Sequence, residues 1–320
     1  MRRPRPLPLH LANIPFTVER ARESGVSRGR SRASDLVSMG RGLRVPKSAE
    51  FQLVDSCRAL TAATPGSVIS HLTAAKLHGL FLSARLNDLP QLDLAQQLGT
   101  GRPRRRNVHG RELKLGQGDV MVIAGVPTIS VQRTLVDIAP LLTVDELVVV
   151  ADQIVCAHSG RCVPLKRALV ELNELAAYVA QHAGQRGMRK LKAAMELVQV
   201  GSDSPPETHL RLLIGRSPLP TFRHNIELKD ARGLPKIQPD LSCEQYRTCA
   251  EYEGLHHFSP EQQSKDHERN FVTKSIGWNQ VLINKADMRA GERVVITKIA
   301  RMLKLGGWQD PMNLAGRTFG

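Results

Sequence analysis

The chain has 320 residues, which is enough for two or three compact domains. Hydrophobic residues make up 41% and charged residues 23%, and no apolar run approaches the ~18 residues of a membrane span, so the composition indicates a globular protein. The start, MRRPRPLPLHLANIPF, lacks the apolar core of a secretory signal, and we expect a cytoplasmic protein without a membrane partner. The net charge of +15 favours a polyanionic partner.

Positive charge is concentrated in two blocks. Residues 1–48 carry eleven Lys or Arg residues against three acidic ones, a net +8, and residues 101–114 carry six basic residues against one acidic. Blocks of this kind either lie along phosphate backbones or form solvated tails. The arginines that we expect to contact DNA are Arg28, Arg30, Arg32, Arg41, Arg44, Arg102, Arg104, Arg105 and Arg106.

The first block also has a pattern of secondary structure. FTVERARESG predicts a short helix capped by Thr17 and stopped by Gly25, and Ser27 would cap a second helix over residues 27–39. Followed by the extended piece RGLRVPK, the two helices predict a winged helix-turn-helix in residues 1–49, with arginines of the second helix facing a groove. Helix pairs of this type also occur without nucleic acid. The segment has few apolar residues, so we expect it to fold independently.

A mixed α/β middle is predicted for residues 50–162. A helix is expected at 51–63, the strand-like runs LDLA and VMVIAG follow, and Thr143-x-x-Glu146 is a capping box before the helix LVVVADQIV. Residues 163–200 have helical spacing interrupted by glycines, which predicts a helical connector.

Cysteine usage gives no indication of a zinc ribbon or finger. The five cysteines are an odd number without a C-x-x-C pair, and we expect reduced, mostly buried thiols. They are Cys57, Cys156, Cys162, Cys243 and Cys249.

Residues 201–320 are predicted to form an α/β domain with its own core. The strand candidates NIELKD, IQPDLSCE, TCAEYEG and NQVLINK alternate with the helix candidates THLRLLIGR, QQSKDHERNFVTKSIG and GERVVITKIARMLKL.

Acidic residues gather at the strand ends of this domain. Asp240 lies on one predicted strand, and Glu251 and Glu253 lie on the next. Because strand residues two apart share a face, Glu253 points the same way as Glu251. Mg²⁺ and Mn²⁺ take oxygen ligands from one or two carboxylates. The pattern therefore predicts a divalent-cation site with Asp240 and Glu251 as ligands.

Purely structural roles are also open for these acids. Glu251 and Glu253 could form the solvent face of a half-buried strand whose Tyr252 turns to the core. Glu207 belongs to Ser204-Pro-Pro-Glu207, a capping box with proline in the first helical turn, so it could simply close a helix.

Five motifs within about residues 200–290 carry a resemblance to a known family: SPPETHLRLL, QPDLSCE, AEYEGLHHF, KDHERN and GWNQVL. Together they resemble the uncharacterised bacterial domain related to the very-short-patch-repair endonuclease, a member of the PD-(D/E)XK nuclease superfamily. That family has a helical Glu, a strand Asp, a Glu-x-Asp-Gly strand end, a nearby His, a D-x-x-R helix and a Gly-Trp strand start. The resemblance implies a restriction-endonuclease-like α/β fold and Mg²⁺-dependent hydrolysis of DNA phosphodiesters.

The resemblance also implies roles for particular residues. The positions that match are Glu207, Asp240, Glu251, Glu253 with Gly254, His257, Asp266 with Arg269, and Gly277 with Trp278. Asp240 and Glu251 would hold the metal, and Glu207 would reach it directly or through water. Glu253 would orient the attacking water and His257 would shuttle a proton. Two features depart from the family: its usual lysine is absent, and position 253 holds Glu where relatives tend to have Asp.

The upstream half resembles a second family. Together with the predicted helix-turn-helix, VISHLTAAKLHGL and PTISVQRTLVDIA resemble the AbiEi-type antitoxins of type IV toxin–antitoxin systems. This resemblance implies a winged-helix DNA-binding segment joined to a second domain, and a cognate toxin as a partner.

We therefore expect a multidomain α/β protein that binds DNA and cleaves it with Mg²⁺ or Mn²⁺. The alternative is a transcriptional regulator or antitoxin whose nuclease-like domain is inactive. Convergence of the Asp240 and Glu251 carboxylates would favour the enzyme. An ion pair between Glu251 and a neighbouring arginine would favour the regulator.

Overall fold

The computed structural model describes residues 4–158, 162–254 and 260–316, with side chains in the last range from residue 267 onward. Helices and sheets alternate through all three ranges, so the expected mixed α/β class is confirmed. Within these ranges, every helix is too short or too polar to cross a membrane.

Contacts divide the chain into two units. The first is Met1–Leu142 with Tyr178–Arg189, and the second is Thr143–Ala177 with Lys190–Gly320. The expected connector, 163–200, is shared between the two units.

The first unit begins with a small antiparallel sheet around one short helix. Its elements are β1 (Phe16–Thr17), α1 (Val18–Glu23), β2 (Leu36–Ser38) and β3 (Leu43–Pro46), and the strand order is β1-β3-β2. Thr17 caps α1 as predicted, since its Oγ1 accepts a hydrogen bond from the Arg20 amide at 3.0 Å. Gly25 follows the helix with φ of 76°, a conformation that glycine adopts without strain and that stops the helix.

The prediction of a second N-terminal helix over residues 27–39 is wrong. Residues 27–39 contain only a single 3₁₀ turn, Arg30–Arg32, and then the strand β2. Ser27 does cap this turn, because its Oγ accepts from the Arg30 amide at 3.2 Å. Gly29 and several serines give the segment low helix propensity, and pairing of β2 with β3 satisfies the backbone instead. The predicted extended piece is present as β3, in a hairpin with β2.

This N-terminal segment shares a core with the residues that follow it. Leu43 of β3 lies in the same buried cluster as Cys57, Leu60 and Ile69. Leu43 is 2% exposed, so removing residues 1–49 would uncover apolar surface in the rest of the unit.

A five-stranded mixed sheet forms the centre of the first unit. Its strands are β4 (Val68–Ile69), β5 (Leu92–Gln97), β6 (Val108–Leu113), β7 (Val120–Ile123) and β8 (Val126–Ile129), in the order β6-β5-β4-β8-β7. Its helices are α2 (Leu53–Ala62), α3 (His71–Leu77), α4 (Ala84–Asn87) and α5 (Val131–Ile138). β5 pairs parallel with β6 and antiparallel with β4, while β4 pairs parallel with β8. The helix predicted at 51–63 and both strand-like runs are confirmed.

Three helices follow the central sheet. They are α6 (Val144–Val155), α7 (Leu172–Gln181) and α8 (Met188–Met195). The capping box at the start of α6 is confirmed: the Thr143 amide donates to Glu146 Oε2 at 2.8 Å, and the Glu146 amide donates to Thr143 Oγ1 at 3.2 Å. The helix therefore begins where the sequence predicts.

The second unit carries a three-stranded sheet with helices around it. Its elements after α8 are α9 (Pro205–Arg216), β9 (Leu228–Lys229), β10 (Pro235–Ile237), β11 (Leu241–Cys243), β12 (Thr248–Glu253), α10 (Pro260–Ser275), β13 (Asn279–Asn284), α11 (Lys285–Ala290) and α12 (Glu292–Leu305). β12 is central, antiparallel to β11 and parallel to β13. A parallel pair needs a crossover connection, and α10 supplies it. The alternating pattern predicted for this region is confirmed.

Candidate functional site

Three acidic residues reach one end of the β11–β12 pair from different elements. Glu207 lies in the first turn of α9. Leu241 of β11 pairs with Ala250 of β12, so Asp240 lies one step before β11, level with Glu251. The fold thus brings together residues that lie more than forty positions apart in the sequence.

A buried ion pair fixes the helix that carries Glu207. Asp152 of α6 is 0% exposed and accepts from Arg211 Nη2 at 2.7 Å and from Thr208 Oγ1 at 2.9 Å. The Gln199 amide also donates to Asp152 at 2.9 Å. Because a buried carboxylate with three such partners has little freedom, α9 is held in one position against α6.

Glu207 closes the start of α9. Its Oε2 accepts from the Asp203 amide at 2.8 Å, and its Oε1 accepts from Ser204 Oγ at 2.7 Å. Glu207 thus bonds the chain at the start of the helix, but the predicted capping box is not formed, because Ser204 Oγ donates to Glu207 and accepts no hydrogen bond from the helix backbone. Burial raises the pKa of Glu207, and the negative charge of Asp203 raises it further, against the two hydrogen bonds.

Asp240 has the most strongly perturbed environment of the three acids. Its Oδ2 accepts from the Tyr252 amide at 2.8 Å. Burial, and then the negative charges of Glu207 and Glu251, raise the pKa of Asp240 to about 8, although the Tyr252 bond and Arg269 act in the opposite direction. Without a bound cation, this environment therefore favours the protonated form of Asp240.

Glu251 is ion-paired. Its Oε2 lies 3.0 Å from Arg269 Nε, and its Oε1 accepts from Gln280 Nε2 at 2.9 Å. Arg269 Nη2 also donates to the carbonyl oxygen of Gln238 at 2.9 Å, which anchors the guanidinium beside the strands. The Arg269 guanidinium therefore places one positive charge beside the carboxyl groups of Glu251 and Asp240.

The structure describes some of the remaining predicted site residues. Glu253 is exposed at the end of β12. His257, the expected proton shuttle, lies outside the described residues, and so does the side chain of Asp266. Trp278 precedes β13 and lines a cavity of 1220 Å³ in the second unit.

The three carboxylates do not form a compact three-ligand group. Within the described ranges, Cys156, His158 and Asp203 are the residues whose ligand atoms all lie within 4.8 Å of one another. Sequence reasoning missed this cluster because it searched for paired cysteines. The signal that was present is the C-x-H spacing of Cys156 and His158, which puts both side chains on one side of an extended backbone.

The two basic blocks meet in the first unit. The Arg105 guanidinium donates to the Arg41 carbonyl oxygen and to Thr64 Oγ1, both at 2.7 Å, and also bonds the carbonyl of Ala63. Burial lowers the pKa of Arg105, and the positive charge of Arg41 lowers it further. Exposed Arg104 and Arg106 thus flank a residue bonded to the turn of the β2–β3 hairpin.

The nine predicted DNA-contacting arginines differ in how they are used. Arg30 pairs with Asp35 at 2.7 Å and is 11% exposed, and Arg44 Nε donates to the Ser31 carbonyl at 2.9 Å, so both stabilise the N-terminal fold. Arg105 ties the two basic blocks together. The exposed members of the set are Arg28, Arg32, Arg41, Arg102, Arg104 and Arg106.

Comparison with known proteins gives no match, either to a protein-family model or to a curated protein sequence. What the fold and the site define is a two-unit mixed α/β protein with a half-buried acidic group in one unit and a joined basic surface in the other.

Proposed function

We propose that this protein binds DNA through its first unit and hydrolyses DNA phosphodiesters with Mg²⁺ or Mn²⁺ in its second. The observation that carries the proposal is the environment of Asp240: a half-buried carboxyl group beside Glu207 and Glu251 whose pKa is raised to about 8. An acidic group that is costly to ionise without a counter-charge is suited to binding a cation.

The order of residues along the elements supports the resemblance to the very-short-patch-repair-related domain. Glu207 lies on a helix, Asp240 directly before a strand, and Glu251 on the neighbouring strand. Arg269 lies on the following helix, and Trp278 directly before the next strand. These are the element types on which that family has its matching residues.

The donor set fits a hard cation. Mg²⁺ is usually held by one or two carboxylates with water and phosphate as further ligands, so a compact group of three is not required. Asp240, with Glu251 or Glu207, would hold the ion. Mg²⁺ bound there would polarise the phosphodiester and supply a hydroxide nucleophile. Exposed Glu253 would orient the attacking water, and His257 is proposed as the proton shuttle.

The joined basic blocks support DNA binding. Arg41, Arg104 and Arg106 are exposed around Arg105, and no acidic side chain is bonded to that guanidinium in the contacts described. A hairpin turn and a loop that present arginines side by side can follow a phosphate backbone.

Arg104→Gln with Arg106→Gln should weaken duplex DNA binding and reduce the slope of log K against log salt by about 1.8, since each lost phosphate contact removes about 0.9. Fluorescence anisotropy at several salt concentrations measures both quantities. The matched control is Arg186→Gln with Arg189→Gln, which removes the same charge from exposed positions of the same unit. Equal losses from both double variants would mean that net charge alone drives binding, without this surface.

The second candidate is a regulator or antitoxin with an inactive nuclease-like domain and a cognate toxin as partner. The specific observation in its favour is the ion pair between Glu251 and Arg269 at 3.0 Å, in which the guanidinium stands where a cation would otherwise compensate the charge. In this case the second unit is a scaffold, and the first unit binds an operator.

A nicking assay on supercoiled plasmid separates the two candidates. The enzyme should convert supercoiled to relaxed DNA in Mg²⁺ or Mn²⁺ and stop when EDTA is added. Binding of the same plasmid without any cleavage in either metal would reject the nuclease and leave the regulator.

A further inference from the structure

A second cluster of metal-ligating side chains lies in the second unit, apart from Asp240. Cys156 follows the last turn of α6 with extended backbone angles, φ −63° and ψ 118°. His158 is two residues on, so both side chains face the same side. Asp203, two residues before the start of α9, completes the group.

The three side chains converge, and Asp203 contacts the other two through different carboxylate oxygens. Cys156 Sγ lies 3.6 Å from His158 Nε2 and 3.4 Å from Asp203 Oδ1, and His158 Nε2 lies 2.6 Å from Asp203 Oδ2. A nucleophile relay would use opposite ring nitrogens for the thiol and the carboxylate. Here Nε2 faces both, and Nδ1 is buried without a hydrogen-bond partner in the described part of the chain. This arrangement suits a shared cation better than proton relay.

The spacings are close to those of a tetrahedral zinc site. With Zn–S about 2.3 Å and Zn–N or Zn–O about 2.1 Å, tetrahedral angles put sulfur roughly 3.6 Å from each of the other ligands and put N and O roughly 3.4 Å apart. Both sulfur distances, 3.6 and 3.4 Å, already match. The 2.6 Å contact of His158 Nε2 is to the other carboxylate oxygen, Oδ2, and has to widen. The Asp203 side chain is 50% exposed, so it has room to turn once the Lys166 contact to Oδ1 is released.

We propose that Cys156, His158 and Asp203 bind Zn²⁺, or another divalent transition metal that accepts thiolate and imidazole, with one coordination position left open. Sulfur and nitrogen ligands select such metals over Mg²⁺. The open position would face the 1220 Å³ cavity, which His158 also lines. Binding transfers the thiol proton of Cys156 to solvent, so one proton leaves for each metal bound.

In the absence of a metal ion, Lys166 provides the positive charge next to Asp203. Its Nζ lies 2.6 Å from Asp203 Oδ1, and its backbone pairs with that of His158 through two hydrogen bonds of 2.9 and 3.1 Å. The ammonium group therefore supplies the positive charge beside Asp203. Since the Lys166 side chain is 41% exposed, it is able to turn into the cavity when a metal takes its place.

Cobalt titration of the purified full-length chain, after removal of metal with a chelator, tests the proposal. Co²⁺ should give a thiolate-to-metal charge-transfer band and the visible bands of tetrahedral cobalt, and Zn²⁺ should remove both in a one-to-one ratio. Cys156→Ser should abolish the charge-transfer band. His158→Ala and Asp203→Asn should each weaken Co²⁺ affinity at least about tenfold.

The matched control is Cys162→Ser. Cys162 is more exposed than Cys156, so a metal bound adventitiously to a surface thiol would depend on Cys162. The band should persist in this variant. Loss of the band with Cys162→Ser, or no band in the wild type, overturns the proposal.

Lys166→Met should change the Co²⁺ affinity in the opposite direction. Removing the competing ammonium should tighten Co²⁺ binding, whereas a merely structural role for Lys166 predicts no gain. If Cys156→Ser does not fold, as shown by the lack of a cooperative melting transition, two other variants still test the proposal. These are Lys166→Met, which should bind Co²⁺ more tightly, and Asp203→Asn at an exposed position, which should bind it more weakly. Asp240→Asn should leave the band unchanged, because Asp240 is not among the ligands of this cluster.

Discussion

Asp240→Asn should abolish Mg²⁺-dependent nicking while DNA affinity is unchanged. The amide keeps the shape of the side chain and still accepts the Tyr252 amide bond of 2.8 Å, but it removes the negative charge on which cation binding depends. Plasmid nicking and anisotropy titration, run on the same preparations, measure the two properties separately. A variant that nicks at the wild-type rate would rule out Asp240 as a ligand.

The same substitution should raise stability in the absence of divalent cations. The ordinary pKa of the carboxyl group, 3.8, is raised to about 8 in the folded protein. Between these values the folded state keeps a proton that the unfolded state has released, so raising the pH through this window lowers the free energy of unfolding. The Asp240→Asn variant has no carboxyl group at this position, so its free energy of unfolding does not fall in this way. It should match the wild type near pH 4 and melt higher at pH 8 and above.

Added Mg²⁺ should reverse the order of the two melting temperatures, so that the wild type melts higher than Asp240→Asn. A cation that binds only the folded state stabilises it by about 2.7 kcal/mol at a hundred times its dissociation constant, and the variant would gain much less. Glu244→Gln is the control, because Glu244 is an exposed acid of the same unit. It should change neither nicking nor melting. Lower melting of Asp240→Asn at every pH, with or without Mg²⁺, would instead indicate a structural carboxylate.

Asp152→Ala should destabilise the second unit by about 3–5 kcal/mol, because Arg211 would remain buried without its partner. The two side chains are only 1% and 8% exposed and lie 2.7 Å apart. Since this pair holds α9 against α6, nicking should fall together with stability. Denaturant unfolding monitored by circular dichroism gives the change in free energy.

The fold provides a matched control for this pair. Asp145 of α6 pairs with Arg216 of α9 at 2.5 Å, but these side chains are 38% and 50% exposed. Asp145→Ala should therefore cost about 1 kcal/mol or less. Similar costs for the two variants would show that burial of the Asp152 pair contributes nothing beyond an ordinary surface ion pair.

Local sequence signals were sufficient for most elements. The Thr143 and Glu146 capping box marks the start of α6, Thr17 caps α1, and the strands of the second unit follow their runs of apolar residues. Each signal acts within about four residues, because caps and side-chain periodicity depend on the chain's own backbone. The mixed α/β class was predictable for that reason, whereas the level positions of Asp240 and Glu251 depend on the register of β11 with β12.

The prediction of a second N-terminal helix was wrong because a distant part of the chain decides the structure of this segment. Residues 27–39 carry a capping serine, but β2 gains more from pairing with β3 than a glycine- and serine-rich helix would gain from its own hydrogen bonds. Strand pairing depends on a segment further along the chain, which a search for helix caps does not consider.

The sequence by itself determined where charge is available: two basic blocks, and acids at the strand ends of the second unit. Only the tertiary structure decided how those charges are used. It joined Arg105 to the Arg41 carbonyl, paired Glu251 with Arg269, and placed Asp203 against Cys156 and His158. Each of these contacts joins residues from separate elements. A side chain's partners, and with them its pKa and its chemistry, depend on which elements pack together, and no local spacing specifies that.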